Sequence, residues 1–569
     1  MVSNSQDIAR PKNVALAMAK FSPRHALLGL MLLFSLIVGA AAAYKYSYWG
    51  HGFDMVDFHM PIQKTLQGDF LGVSRYNFTD TFMGLDVALG FLPALPFYAL
   101  LPSAYTLVVL QALLLASGAI PVYLIARTRF AAAWAGVAWA AVYLLYPTTQ
   151  FIAMAAPFQP RVPGMLCMLW AFYFLQQGRY WPYLLLLFAG MTARTDAALV
   201  VIAFGLYALL SRKHWRWWLP PIGVAAIYFY ASISYITPLF YSDSFQPVRV
   251  SVPFDLSRDY NDMWPCGVSP QACYYLHLGG SLPEIARNIV THPVQIFFFL
   301  FQPAKLEYLV LMFATLLFLP LFAPKELLLA APIFAINLLS NRVYQYVITE
   351  QYQILVIPGM IIAGMYGGAW LMERLGKNSG FRIQDSEGGA EKREPRTQNS
   401  EPYSVAAQEP GNHGTRQAGD SGTQSGSPHA SRLTLYLVLV LLVGLLNIPL
   451  RNPVVSAIRN PERPERVALM ERMAAQIPLD ARVAATSFLA PHLIPRAEIY
   501  FIPGGKMHHQ IDEAEFAFID ARAATLRQMA AEGNDIVAAL QSDPAWQTVD
   551  AGDDLYLFRK RGVRQGAMN

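Results

Sequence analysis

Two aspartates three positions apart, Asp54 and Asp57, stand in a stretch from Tyr44 to Asp86 that also holds His51, His59, Asp69, Asp80 and Asp86 beside five Trp and Tyr residues. On a helical turn the i, i+3 spacing brings both carboxylates to one face. If they are close and partly buried, each raises the pKa of the other. A carboxylate so placed takes the proton from an attacking hydroxyl, or orients it. Arg161, Arg194 and Arg342 each sit beside the end of an apolar run. A guanidinium keeps its charge there, and its planar donors grip a phosphate bidentately. Arg194 stands out, because it lies between two short apolar runs where a charge is costly unless paired or functional, with Asp196 as a partner at hand. Each of these residues also has a structural reading. The aspartates suit a helix cap, an arginine at a helix end suits a snorkelling anchor, and Tyr44, Tyr46, Tyr48 and Trp49 suit an interfacial belt as well as a sugar platform.

These residues need a scaffold, and composition says which kind. The 569 residues are 54% hydrophobic and 14% charged, which excludes a single soluble globule and implies a polytopic, mainly α-helical membrane protein. The net charge of +5, from 43 basic and 38 acidic residues, is scattered along the connections, so it reports membrane orientation and gives no footing for nucleic acid. Three cysteines are too few for a disulfide scaffold or a zinc site, and Cys167, in an apolar run, reads as core.

Lys12, Lys20 and Arg24 precede an apolar run from His25 to Tyr44, about the 20 residues that cross a hydrocarbon core, so residues 1–24 read as a cytoplasmic N-terminus before an uncleaved first span. Further runs follow at 104–127, 131–149, 162–177, 180–193, 196–210, 217–237, 305–323, 326–340, 353–372 and 432–450, giving eleven crossings. The segment 87–101 is short and holds Pro93 and Pro96, so it reads as interfacial or re-entrant. Charge supports leaving it out. With the N-terminus inside, every short inner connection is basic: Arg127 and Arg129, Arg179, Arg212 with Lys213 and Arg216, Lys325, Arg374 with Lys377. The outer face then carries the loops 47–103 and 238–304 of a transmembrane domain 25–376. Cys266 and Cys273 share the second of these, with six residues between them, and an oxidising outer compartment would pair them.

Residues 377–431 are rich in Gly, Ser, Glu and Gln and lack apolar periodicity, so they read as a disordered cytoplasmic linker ahead of the last span at 432–450. Residues 451–569 then read as a small α/β domain on the outer face. Helices are expected at 460–475 and 522–541, strands at Arg482–Thr486, Glu498–Ile502 and Phe516–Asp520, and a hairpin around Gly552. This part has no Gly-rich phosphate loop and no nucleophile elbow, and the adjacent His508 and His509 do not have metal-ligand spacing.

The early outer loop with its Asp, the interfacial segment and the basic inner turn resemble the GT-C class of membrane glycosyltransferases. More closely, GFDMVDFHMPIQKTLQGDF, PFYALLPSAYTLVVLQALLLASGAIPVYLIAR, ARTDAAL and SFLAPHLIPRAEIYFIP resemble a family of uncharacterised bacterial multi-spanning proteins related to that class. The resemblance implies an inner-membrane, multi-pass protein whose donor is a polyprenyl-phosphate sugar. It favours Asp54, through the pair Phe53-Asp54, as the acceptor-side carboxylate. The chain departs from the family words at three polar places: Met83 to Asp86 replace a His-Phe-Ser-Pro-like word, Gln159 stands where His is usual, and Arg194-Thr195-Asp196 replaces Lys-Glu-Asp.

Two function classes follow. One is a glycosyltransferase that moves a sugar from a polyprenyl-phosphate donor to an acceptor on the outer face, with Asp54 and Asp57 at the chemistry, Arg161, Arg194 and Arg342 on the donor phosphate, and Asp196, Gln159 and Asp86 in support. Its partners are membrane lipid, a lipid-linked sugar and an acceptor that the residues do not name, and participation of a divalent metal is left open. The other is a non-enzymatic transporter or flippase of a lipid-linked substrate, for which polar groups near the midplane and repeated halves are the expected marks. The charge pattern makes the topology testable. A reporter fused after Asn569 is expected to score on the outer face, and a cytoplasmic signal would reject the arrangement.

Overall fold

The computed structural model describes residues 22–74, 78–155, 157–243, 253–258, 260, 270–376, 438, 442, 445, 452–494, 496, 498–502 and 509–563. The first helix, Pro23–Ser47, starts where Ser22 accepts a hydrogen bond from the Arg24 N–H and Pro23 takes the first helical position. Leu28, Leu32, Leu33 and Leu36 stay exposed along it, while Phe34, Val38, Ala41 and Ala42 are buried, with Gly39 within contact of Ala112 on the helix Ala104–Ser117. Lipid tails are as apolar as leucine, so close packing of small residues, rather than removal of leucine from water, holds these two helices together.

Among the described residues Pro23–Ser47, Ala104–Phe130 and Trp215–Phe240 are long and apolar enough to cross a membrane. Two bent pairs, Ala133–Leu145 with Pro147–Ala155 (48°) and Pro293–Leu300 with Pro303–Ala314 (62°), would each make one more. Leu89–Leu100, Tyr180–Met191 and Ala197–Leu210 are shorter apolar helices. Of the expected last span only Val438, Leu442 and Leu445 are described, and all three are helical. Within the segment expected as the outer loop 238–304, two helices form, Leu282–Thr291 and Pro293–Leu300.

The segment at 87–101 folds as a 3-10 turn, Leu89–Ala94, running into a short α-helix, Leu95–Leu100. Phe91, Ala94 and Tyr98 are buried, whereas Phe97, Leu100 and Leu101 are exposed. Its start is sewn to the turn between the helices Tyr180–Met191 and Ala197–Leu210, Leu89 N–H to Thr192 O at 2.9 Å and Gly90 N–H to Ala193 O at 3.3 Å. Gly90 has to be glycine for this contact, because a Cβ there would lie 2.0 Å from the Pro160 carbonyl oxygen.

The C-terminal domain is a five-stranded sheet in the order β2-β1-β3-β5-β4, with β1 Arg482–Thr486, β2 Glu498–Ile502, β3 Phe516–Asp520, β4 Trp546–Gly552 and β5 Leu555–Lys560. β1 runs parallel to both β2 and β3, and the β4–β5 hairpin pairs antiparallel with β3. Asp553 and Asp554, both at positive φ, make the hairpin turn. Beside it lies Arg466, 2% exposed, on the helix Pro464–Ala475. It meets Asp520 at 2.8 Å, Asp553 at 3.2 Å and Glu462 at 3.5 Å. Removing the cation would take from Asp520 and Glu462 the ion pairs they make with it and leave a gap in the packing, while Asp553 keeps Arg463 and Arg522. Arg466→Ala in the full-length protein is therefore expected to make residues 452–563 markedly more sensitive to limited protease, with Arg466→Lys in between. Equal cleavage of Arg466→Ala and the wild type would refute the role.

Candidate functional site

The helix Asp54–Leu66 begins with the two aspartates in its first turn, as their spacing requires, and Asp54, Asp57 and Phe58 face a cavity of about 1150 Å³. The same cavity is lined by Arg161, Arg194 and Arg342 together with Asp86 and Asp196. Seven of the eight charged or polar side chains singled out from the sequence therefore meet in one place. Gln159 does not join them. It is fully buried behind the wall, where its backbone N–H donates to Gln111 Oε1 at 3.1 Å.

The three arginines are differently engaged. Arg161, the first residue of its helix and 4% exposed, holds Asp196 through Nε at 2.8 Å and Nη2 at 2.5 Å. Arg194 holds Asp86 instead, Nε to Oδ2 at 2.6 Å, and the other oxygen of Asp86 accepts from the Thr195 N–H at 3.3 Å. The expectation of Asp196 as the ion-pair partner of Arg194 is thus corrected, because the 86–90 segment is bonded to the 192–193 turn and brings Asp86 to it. Arg342 makes no ion pair with a carboxylate among the described residues. Its guanidinium donates to Tyr274 Oη and lies 4.6 Å from the centre of that ring, 5.7 Å from Tyr344 and 6.0 Å from Tyr352. Tyr352 also faces Arg161, at 5.7 Å, so one aromatic ring stands between two cations.

Residues 340–356 supply groups that the sequence reading missed. Asp54 Oδ2 accepts from Gln351 Nε2 at 3.3 Å. Glu350 lies close enough to Asp54 and Arg342 to feel both charges: burial raises its carboxyl pKa, Asp54 raises it further, and Arg342 opposes them. Nothing in the spacing of Glu350, Gln351 and Tyr352 sets them apart from an ordinary polar turn. The remainder of the wall is apolar, with Leu199, Phe229, Ile233, Leu282, Ile285 and Leu339. Among the described residues no group of three or more His, Cys, Asp or Glu side chains is arranged to hold a metal ion.

The profile of the family described as Predicted membrane protein (DUF2079) matches residues 49–383. The chain belongs to this family. All the cavity residues fall inside the matched segment, and the C-terminal sheet lies outside it. No curated protein matches. Among solved structures, the crystal structure of ArnT from Cupriavidus metallidurans bound to undecaprenyl phosphate aligns with a TM-score of 0.47 and 11% identity, over 93% of this chain and 97% of that one.

The aromatic residues at the start of the site have a different use from the cavity residues. Tyr46 and Trp49 sandwich His492 of the C-terminal domain, with centroid separations of 4.2 and 3.9 Å and planes 9° apart, and His492 Nε2 donates to Tyr46 O at 2.9 Å. Trp49 adopts a left-handed backbone conformation, φ 61°, which such a bulky residue keeps only when its surroundings hold it. Next to it Ser487 Oγ accepts from the Phe53 N–H at 3.1 Å, so the domain grips the residue that precedes Asp54. Ser74 Oγ accepts from the Ile499 N–H at 3.2 Å, and Trp49, Phe53, Val56 and Met60 share one apolar core with the sheet. His51 and His59 are also taken up locally, by Ala42 O at 3.3 Å and Tyr98 Oη at 2.7 Å. Cys273 is buried and disulfide-bonded, Cys167 is a free thiol, and Cys266, His508 and the side chain of His509 lie outside the described residues.

Burial lowers the pKa of His492 to about 4, and burial with nearby Lys45 lowers that of His51 to about 3. Both rings are therefore neutral when the domain is docked; the His492 imidazole, released with the domain, titrates near its ordinary value of about 6.5, whereas His51 stays held by Ala42 O. The undocked form takes up more protons between those values, so docking is strongest above about pH 6.5 and weakens as the pH falls toward 4. Cleavage of the full-length protein by an acid-tolerant protease is expected to rise over that window, and His492→Phe, which keeps the stack and removes one proton site, should flatten the rise. An unchanged pH profile in His492→Phe would rule His492 out as the sensor.

Proposed function

We propose that the protein is a GT-C-type integral-membrane glycosyltransferase that takes a sugar from a polyprenyl-phosphate donor and passes it to an acceptor on the outer face. The observation that carries this reading is the composition of the cavity: an apolar wall with Leu199, Phe229, Ile233, Leu282, Ile285 and Leu339 shares one space with Arg342, an arginine without a carboxylate ion pair among the described residues, and with the carboxylate of Asp54. An isoprenoid chain buries itself against such a wall, and its phosphate needs a cation at the end of it.

The chemistry divides among the residues. Asp54 accepts the proton of the acceptor hydroxyl as its oxygen bonds to the anomeric carbon, with Asp57 on the same face. The bond from that carbon to the phosphate oxygen breaks, and the polyprenyl phosphate leaves with the electron pair and one more negative charge than the donor carried. Arg342 meets that added charge at the moment it develops, so its contact is worth more in the transition state than in the bound donor. Arg161 and Arg194, already neutralised by Asp196 and Asp86, hold the floor of the site and add field rather than a vacant fork. Glu350, its carboxyl pKa raised by burial and by the charge of Asp54, is a second acid in the neighbourhood of Asp54.

Asp54→Asn keeps the shape and removes the base, so transfer of labelled sugar from polyprenyl phosphate is expected to fall about 10²–10⁴-fold with the protein still inserted and monodisperse. Arg342→Ala is expected to raise the donor KM and lower kcat, and Arg342→Lys to recover part of the loss. Arg194→Ala is a poorer probe, since it strands Asp86 and lowers stability as well. Near-normal transfer by Asp54→Asn would remove Asp54 from the chemistry. A wild type that transfers no sugar from any polyprenyl donor yet moves labelled lipid across vesicles would replace the enzyme by a flippase.

A further inference from the structure

A second cavity, of about 280 Å³, lies at the other ends of the helices that frame the first. The helix Arg161–Gln176 begins in the large cavity and ends at Gln176 in the small one, and Ala197–Leu210 likewise follows Asp196 and leads into Ser211. Sixteen residues of α-helix span about 24 Å, so the two sites are separated by most of a hydrocarbon core. On the positive-inside reading the small cavity opens at the cytoplasmic boundary.

Its lining has three cations, Arg129, Lys213 and Lys325, against one carboxylate, Glu326. Glu326 is 6% exposed and accepts from Tyr207 Oη at 3.3 Å, while Lys325 lies 5.3 Å from the centre of the Tyr207 ring. Arg129 is braced by Glu373 at 3.2 Å, a residue outside the lining, and by the face of Tyr366 at 4.9 Å. The mouth carries Phe322 stacked on Trp370, centroids 5.4 Å apart, the kind of aromatic pair found where acyl chains give way to headgroups. Gln176 Oε1 is buried there without a hydrogen-bond partner. A set of basic groups that served only to orient the chain would need no concave pocket, no buried carboxylate to tune it and no aromatic rim.

We propose that this pocket is a second binding site, for a phosphate-bearing anion, and that the headgroup phosphate of an anionic glycerophospholipid is the source its rim and depth favour. Lys213 and Lys325 take the phosphate oxygens, Glu326 holds the lysine and arginine heads apart, and Trp370 and Phe322 receive the start of the acyl chains. Because it joins the inner ends of the helices that carry Arg161 and Asp196 at their outer ends, an occupied pocket fixes the spacing of the elements beneath the large cavity. The inference does not depend on the chemistry assigned to that cavity.

The test uses the full-length protein in neutral detergent, with the unfolding temperature measured against rising dioleoylphosphatidylglycerol, dioleoylphosphatidylcholine or inorganic phosphate. Phosphatidylglycerol is expected to raise the unfolding temperature saturably and phosphatidylcholine much less. Each lysine is expected to contribute about fivefold to half-saturation, so the Lys213→Gln/Lys325→Gln pair should bind about 25-fold more weakly. Arg179→Gln, at the same end but outside the pocket, should bind as the wild type does. If the double variant does not yield folded protein, Lys213→Gln alone, about fivefold weaker, gives the same reading. Stabilisation of the wild type by inorganic phosphate alone, lost in the lysine variants, would keep the site and name free phosphate as the source. Equal stabilisation of the wild type and the lysine variants, or none by either phosphate source, would overturn the proposal.

Discussion

A guanidinium buried in a membrane protein must find a carboxylate or lose much of its solvation energy, and two such pairs hold this fold together where its cavity lies. Arg161 with Asp196 and Arg194 with Asp86 join three segments far apart in sequence, around 86–90, 158–164 and 192–197. The backbone follows the same seam, since Gly90 sits against the Pro160 and Ala193 carbonyls with no room for a side chain. Because these cations are spent on architecture, the cavity is left with Arg342, ringed by Tyr274, Tyr344 and Tyr352, as its unpaired positive group among the described residues. Paired charges frame the site, and the aromatic-held charge is the one a phosphate would meet.

The same economy appears at the docked domain. Its parallel strands end beside the chain that leads into Asp54, and the contacts are a histidine sandwich, a hydroxyl on the Phe53 N–H and a shared apolar core. Aromatic residues placed as a sugar platform would have been in the cavity; here Trp49 is 4% exposed and committed to His492. The domain therefore supports the helix Asp54–Leu66, although it lies outside the segment matched by the family profile.

What was legible in the sequence was what periodicity and charge encode. The three parallel strands, β1 to β3, stand at the residues where short apolar runs put buried strands, and the apolar runs between 161 and 210 are helices with nearly the expected ends. The expected helix 522–541 breaks in two at Gly533, which takes a positive φ that an α-helix does not allow. The helices Leu282–Thr291 and Pro293–Leu300 were not legible, because each is short and the first mixes polar with apolar positions, so neither reads as a span. Within the site, charges at the ends of apolar runs were conspicuous, whereas which arginine pairs with which aspartate depends on how the 86–90 segment folds back, a long-range contact that no local pattern carries. Glu350, Gln351 and Tyr352 were hidden for the same reason.

The central claim is that the large cavity holds a lipid phosphate at Arg342 with its isoprenoid chain along the apolar wall. Electron cryo-microscopy of the full-length protein with a polyprenyl phosphate bound tests it most directly. The account predicts phosphate density within about 3 Å of the Arg342 guanidinium and chain density beside Leu199, Phe229 and Ile233. A polyprenyl phosphate seated elsewhere, with the Arg342 guanidinium still against Tyr274 and the cavity holding only solvent, would contradict it.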